Sequence, residues 1–101
     1  MVFRIISAEP DNGRVMVKGL LVPSNEDERE LLLQMVDEFS KSELYSGKCF
    51  SNKHTIIFRE VEGELLKNML NYMSSELEIP LEYALSKNFH GDEDYVTRNY
   101  L

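Results

Sequence analysis

The stretch that decides the fold is His54–Tyr72, HTIIFREVEGELLKNMLNY. It opens with a β-branched, apolar run, His54–Phe58, which reads as a strand. Ile57 and Phe58 point to opposite sides of that strand, so it is buried on both faces or covered on one by a partner. The pattern then changes period. Leu65, Leu66, Met69, Leu70, Tyr72 and Met73 predict a helix over Glu62–Ser74. These apolar positions wrap further round the helix than one core-facing stripe needs. Either the helix is buried on two sides, or one face serves the domain and another a partner.

Upstream, Val2–Ser7 is a second apolar run, broken only by Arg4. Pro10-Asp11-Asn12-Gly13 is a turn signal, because Asn and Gly tolerate positive φ. Arg14–Val17 alternates beyond it, which predicts a hairpin with its tip near Asn12, continuing apolar through Leu20, Leu21 and Val22 to Pro23. Ser24 is a candidate N-cap with Asp27 three residues on. Acidic residues at 26–30 suit the positive end of a helix dipole. Leu31, Leu32, Met35, Val36 and Phe39 then mark an amphipathic helix of about 15 residues. Lys41–Lys53 has no period and reads as a surface loop.

Downstream, Pro80 suits a first helical turn. Leu81, Ala84, Leu85 and Phe89 predict a short helix ending near Gly91. The last residues, 91–101, read as an acidic and aromatic tail behind an interaction domain at 1–90, one that either frays or docks its aromatic residues.

A chain of 101 residues holds one domain with a modest core. Its 18 acidic residues outnumber 11 basic ones, a net charge of −7 that disfavours direct contact with nucleic acid or an anionic membrane. The lone Cys49 makes no internal disulfide, and no Cys/His spacing suits zinc. The N-terminal apolar run is short for a signal peptide, and no run has the length of a membrane span. The expected location is the cytosol or nucleus. His54 and His90 lack an orienting carboxylate or nucleophile at a recognisable spacing, and the glycines are too scattered to cradle a phosphate. The chain therefore reads as a non-enzyme with no cofactor and no metal.

The opening VFRIIS, the segment HTIIFREVEGELLKNMLNYM, and the later Glu78-Ile79-Pro80 and Asn88-Phe89 together resemble elongin C. More broadly, the element order resembles the BTB/POZ-type fold of Skp-type cullin adaptors. The resemblance implies an α+β, BTB/POZ-like domain whose three-stranded sheet, a hairpin plus a third strand, is covered by two to four helices. It implies a non-catalytic adaptor that links a substrate-receptor helix to a cullin ubiquitin ligase or a transcription-elongation complex. The implied partners are a ubiquitin-like elongin B-type subunit, a receptor helix and a cullin. The receptor groove would be lined by Met69, Tyr72, Met73, Tyr83, Ala84 and Phe89. Val15, Val17, Leu20 and Leu21 would form a sheet edge for the ubiquitin-like partner. The alternative is a small acidic scaffold subunit, or a self-associating BTB-like module of an unrelated intracellular complex.

Overall fold

In the computed structural model, residues 1–40, 49–51 and 55–101 are described. Most of the 41–53 loop and His54 therefore lie outside the described residues. Strand β1 (Val2–Asp11) turns back into β2 (Arg14–Val22) through Asn12 and Gly13. Both turn residues take positive φ, 50° and 80°, the left-handed pair that a two-residue hairpin requires. Helix α1 (Glu26–Ser40) follows, then the three-residue β3 (Cys49–Ser51), β4 (Ile56–Glu62), α2 (Gly63–Leu77), β5 (Glu82–Gly91) and α3 (Glu93–Asn99).

The class is α+β, but the sheet is larger than the hairpin plus one strand that the sequence predicts. Its order is β3-β4-β2-β1-β5, four long strands and a short fifth at the edge. β1 pairs antiparallel with β2 and parallel with β5, so the sheet is mixed.

Two expectations about the C-terminal part are corrected. Leu81–Phe89 is not a helix; Leu81 leads into β5, which holds the rest. Leu81, Tyr83 and Leu85 pack against the core while Glu82 is exposed, an alternation of period two. The β1 edge offers that strand unpaired backbone groups, and Glu82 N donates to Met1 O at 3.1 Å. Nor is 91–101 a tail. Asp92 caps α3 by accepting from Tyr95 N at 3.0 Å, and Val96 and Tyr100 are buried in the core.

The cap of α1 also moves by one residue. Asn25, not Ser24, accepts from Glu28 N at 2.8 Å, and Glu28 reaches back to Ser24 N at 3.3 Å. At α2, Glu62 accepts from Glu64 N and Leu65 N, using one carboxylate oxygen for each.

The core lies between one face of the sheet and the helices. Phe3, Ile5, Val17, Leu21, Ile56, Phe58 and Val61 meet Leu66, Met69, Leu70 and Met73 of α2, Leu32 and Val36 of α1, and Val96 of α3. Gly19 is the one inward position of β2 with no side chain, and the Phe3 ring fills the space a Cβ would need.

At the C-terminal end Tyr100 donates to Gly63 O, and its ring packs edge-on against Tyr83, with centroids 5.0 Å apart. Burial pushes the Tyr83 phenol up to about 12 from 10.0. Burial also raises Tyr100, helped by Tyr95, Tyr83 and Glu62, and raises Tyr95, helped by Glu62 and Glu64. Because the folded state holds these protons more tightly than the unfolded chain, their contribution is complete below the ordinary phenol pKa. It is lost as pH rises through the raised values. Stability therefore falls above about pH 10. A phenolate absorbance titration should show a late-ionising group of tyrosines that joins the ordinary range in denaturant. A single native transition near the ordinary value would contradict this packing.

Candidate protein-binding face

All three helices of the described residues contribute to the one core cluster, so they lie on one side of the sheet. The other side carries no helix among the described residues. Its composition follows from the register. Ile57, Leu20, Arg4 and Ala84 are partners across β4, β2, β1 and β5, and form one row. Val22, Val2 and Glu82 form the neighbouring row.

Beyond the exposed Arg14 at the hairpin end, the outward positions of β2 are Met16, Lys18, Leu20 and Val22, while Val17 and Leu21 point into the core. A solvated sheet face normally alternates apolar-in with polar-out. Here only Lys18 of those four outward residues is polar. Val2, Leu20, Val22 and Ile57 are half-buried, and none of them packs against the core cluster to which the described helices contribute.

Two irregularities shape the lower half of this face. β1 carries the extra residue Ile6 between Ile5 and Ser7, opposite Gly19 and Lys18. β4 carries Arg59 and Glu60 opposite the single Lys18. Each bulge sets one extra residue against its partner strand and increases the local twist. Below them lies a shallow polar depression whose lining includes Ser7, Glu9, Lys18, Arg59 and His90. His90 Nε2 is 3.5 Å from Glu9 Oε1, and both side chains are 63% exposed, so the pair adds little to stability. Arg4, Lys18 and Arg59 thus form a diagonal of cations across three adjacent strands. Ten of the 18 carboxylates lie on the helices, while Glu9, Asp11 and Glu60 line the same depression as Lys18 and Arg59, and Glu82 stands beside Val2.

The predicted groove residues are not brought together. Met69 and Met73 are buried core residues at 3% and 0% exposure, whereas Tyr72 faces solvent at 52%. Tyr83 stands on β5, donates to Asn71 Oδ1 at 3.2 Å, and packs edge-on against Phe3. Ala84 shares the open-face row of Arg4, while Phe89 packs partly against the core. A groove walled by two helices does not exist at these residues, because its second wall is a strand.

The predicted sheet edge is also corrected. β2 is internal: β1 and β4 occupy its two sides, so Val15, Val17, Leu20 and Leu21 offer no free backbone edge. Val17 and Leu21 are core, and Val15 packs partly against it. Leu20 alone of the four sits on the open face. Sequence reasoning missed Val2, Arg4 and Lys18 as surface candidates, and marked Ile57 only through the choice between a doubly buried strand and a partner-covered one. The signal was the run of apolar residues at both alternating positions of Gly19–Val22, which a sheet with one solvated face does not need.

Among the described residues, no group of three or more His, Cys, Asp or Glu is gathered as for a metal ion. No described helix is long and apolar enough to cross a membrane. Comparison with protein-family models, curated proteins and solved structures found no match to this chain.

Proposed function

We propose that this chain is a non-catalytic protein-binding module that meets its partner through the helix-free face of its sheet. The observation that carries this is the apolar outward set Val2, Leu20, Val22 and Ile57, contiguous across three strands and flanked by Arg4 and Lys18. A contiguous apolar patch with a polar rim is the usual make-up of a protein contact surface. The net charge of −7 argues against a phosphate backbone as the partner.

The narrower reading is an elongin-C-like adaptor, and it draws on the hairpin–helix–strand–helix order that runs from β1 through α2. With Tyr83–Phe89 in a strand, such an adaptor would receive a receptor helix on the sheet face rather than in a groove between helices.

Lysine cross-linking in an extract of the native source, read by mass spectrometry, tests the binding surface. Lys18 lies on the open face, Lys67 on α2 and Lys87 on β5. Inter-protein links should concentrate on Lys18. Links confined to Lys67 would overturn the assignment of the surface.

A further inference from the structure

We propose that two copies of the chain pair edge to edge through Glu82–Leu85 of β5, antiparallel about a two-fold axis at Ala84. β5 is the outer strand on one side of the sheet, and β1 is its neighbour. Glu82 N donates to Met1 O, so the backbone groups of Glu82 point toward β1. Backbone groups alternate in direction along a strand. Those of Ala84 therefore also point toward β1, and those of Tyr83 and Leu85 point outward. No described strand pairs with that outer side. Such edges are usually blunted by charge, proline or a bulge. Here the bulge comes only after Leu85. Ile5 pairs with Leu85 and Ser7 with His90, so Ser86–Phe89 stand against the single Ile6, while Glu82–Leu85 keep a regular register with Val2–Ile5.

The edge is complementary to itself. Tyr83 and Leu85 flank Ala84 symmetrically, so the two-fold axis sets Tyr83 opposite Leu85 of the other copy, and each such pair exchanges both N–H···O bonds. Ala84 then faces Ala84 at the narrow position, where the Cα atoms approach to about 4.5 Å and a small side chain avoids crowding. The charges are reciprocal as well. Glu82 falls opposite Ser86 of the other copy, one residue from its Lys87, and Glu82 and Lys87 are both exposed. β5 carries one carboxylate and one lysine, so the chain's excess acidity is not concentrated where the copies meet. This is an isologous contact, which closes at two copies. Its shortness places it in the weak, concentration-dependent class. Pairing at the edge leaves the helix-free face open, so the two surfaces are tested separately.

Sedimentation velocity over a range of concentration, with hydrogen exchange on the same samples, tests the proposal. Wild type should rise from the 11.8 kDa monomer toward twice that mass, and no further, by about 1 mM. The amides of Tyr83 and Leu85 should exchange rapidly when dilute and become protected as the dimer forms. Ala84→Lys and Ala84→Glu each set like charges face to face across the axis. Each should sediment as a monomer with a cooperative melt, and the two mixed in equal amounts should recover a two-copy complex. Leu20→Glu, two strands in from the edge, should dimerise as wild type does. The edge pairing would be overturned by a wild type that stays monomeric, by growth beyond two copies, or by Tyr83 and Leu85 amides that do not respond to concentration. It would equally be overturned by an Ala84 variant that dimerises alone, a mixture that stays monomeric, or a dimer lost in Leu20→Glu. If wild type is monomeric while cross-links to another protein still fall on Lys18, the edge pairing is refuted and the binding face stands.

Discussion

Gly91→Ala is expected to lose about 3 kcal/mol of stability, with a fall in melting temperature of about 12–24 °C. Gly91 has φ +114°, a region that residues with a side chain rarely adopt. An added Cβ would also press on the Ala8 carbonyl, whose carbon would stand 2.8 Å away. Neither partner can yield cheaply, because both are backbone and the next residue is anchored: Asp92 N donates to Ala8 O at 2.7 Å. Gly91 is thus the point where β5 ends against β1 and the chain turns into α3. Its replacement should loosen Val96 and Tyr100 together with the strand end. A thermal melt of Gly91→Ala within a few degrees of wild type would contradict this close approach.

The second large effect is a coupled one. Phe3→Ala is expected to cost about 3–5 kcal/mol, the range for truncating a buried phenylalanine. Phe3 is fully buried, edge-on to Phe58 at 5.9 Å and to Tyr83 at 6.2 Å. Its ring passes over Gly19 of the neighbouring strand, where an added Cβ would lie 2.8 Å from Phe3 Cε2 and 2.9 Å from the Arg4 carbonyl oxygen. Gly19→Ala should therefore destabilise by forcing the ring aside. Combined with Phe3→Leu, which withdraws the ring, it should cost less than the sum of the two single changes. Residues in direct contact show coupling of this kind, of about 0.5–3 kcal/mol. Denaturant unfolding of the four proteins measures it. Strict additivity would mean that Phe3 does not occupy the space above Gly19.

The hairpin, α1 and the β4–α2 junction are legible in the residues because local chemistry and tertiary packing agree there. Asn12-Gly13 can take the left-handed pair, and the spacing of Leu32 and Val36 gives α1 one buried side. β5 is not legible by the same means. Leu81, Ala84, Leu85 and Phe89 fit a helical spacing, while Leu81, Tyr83 and Leu85 fit a strand. The β1 edge decides between them, and that edge is a long-range partner. The same pairing converts the expected tail into a docked helix, since the end of β5 delivers Asp92 to the side of the sheet where Val96 and Tyr100 can be buried.

The candidate surface is only partly legible. Leu20 stands out in the sequence, but as part of an edge. The strand pairing instead places it in the middle of an open face, because β4 joins β2 on the side away from β1. Met69, Tyr72 and Met73 occupy one helix, and periodicity marks them all as apolar without revealing that only Tyr72 faces solvent.

The central claim is that the helix-free face serves binding rather than stability. Leu20→Glu tests it most directly, with thermal stability and association measured on the same sample. Leu20 is half-buried and points away from the core, so the loss of stability in the melt should be less than the cost of a core leucine truncation, about 2–5 kcal/mol. Association with the cross-linked partner should be abolished by the unpaired charge at the centre of the contact. Intact association with Leu20→Glu in place would contradict the claim. So would a loss of stability as large as that of a core truncation.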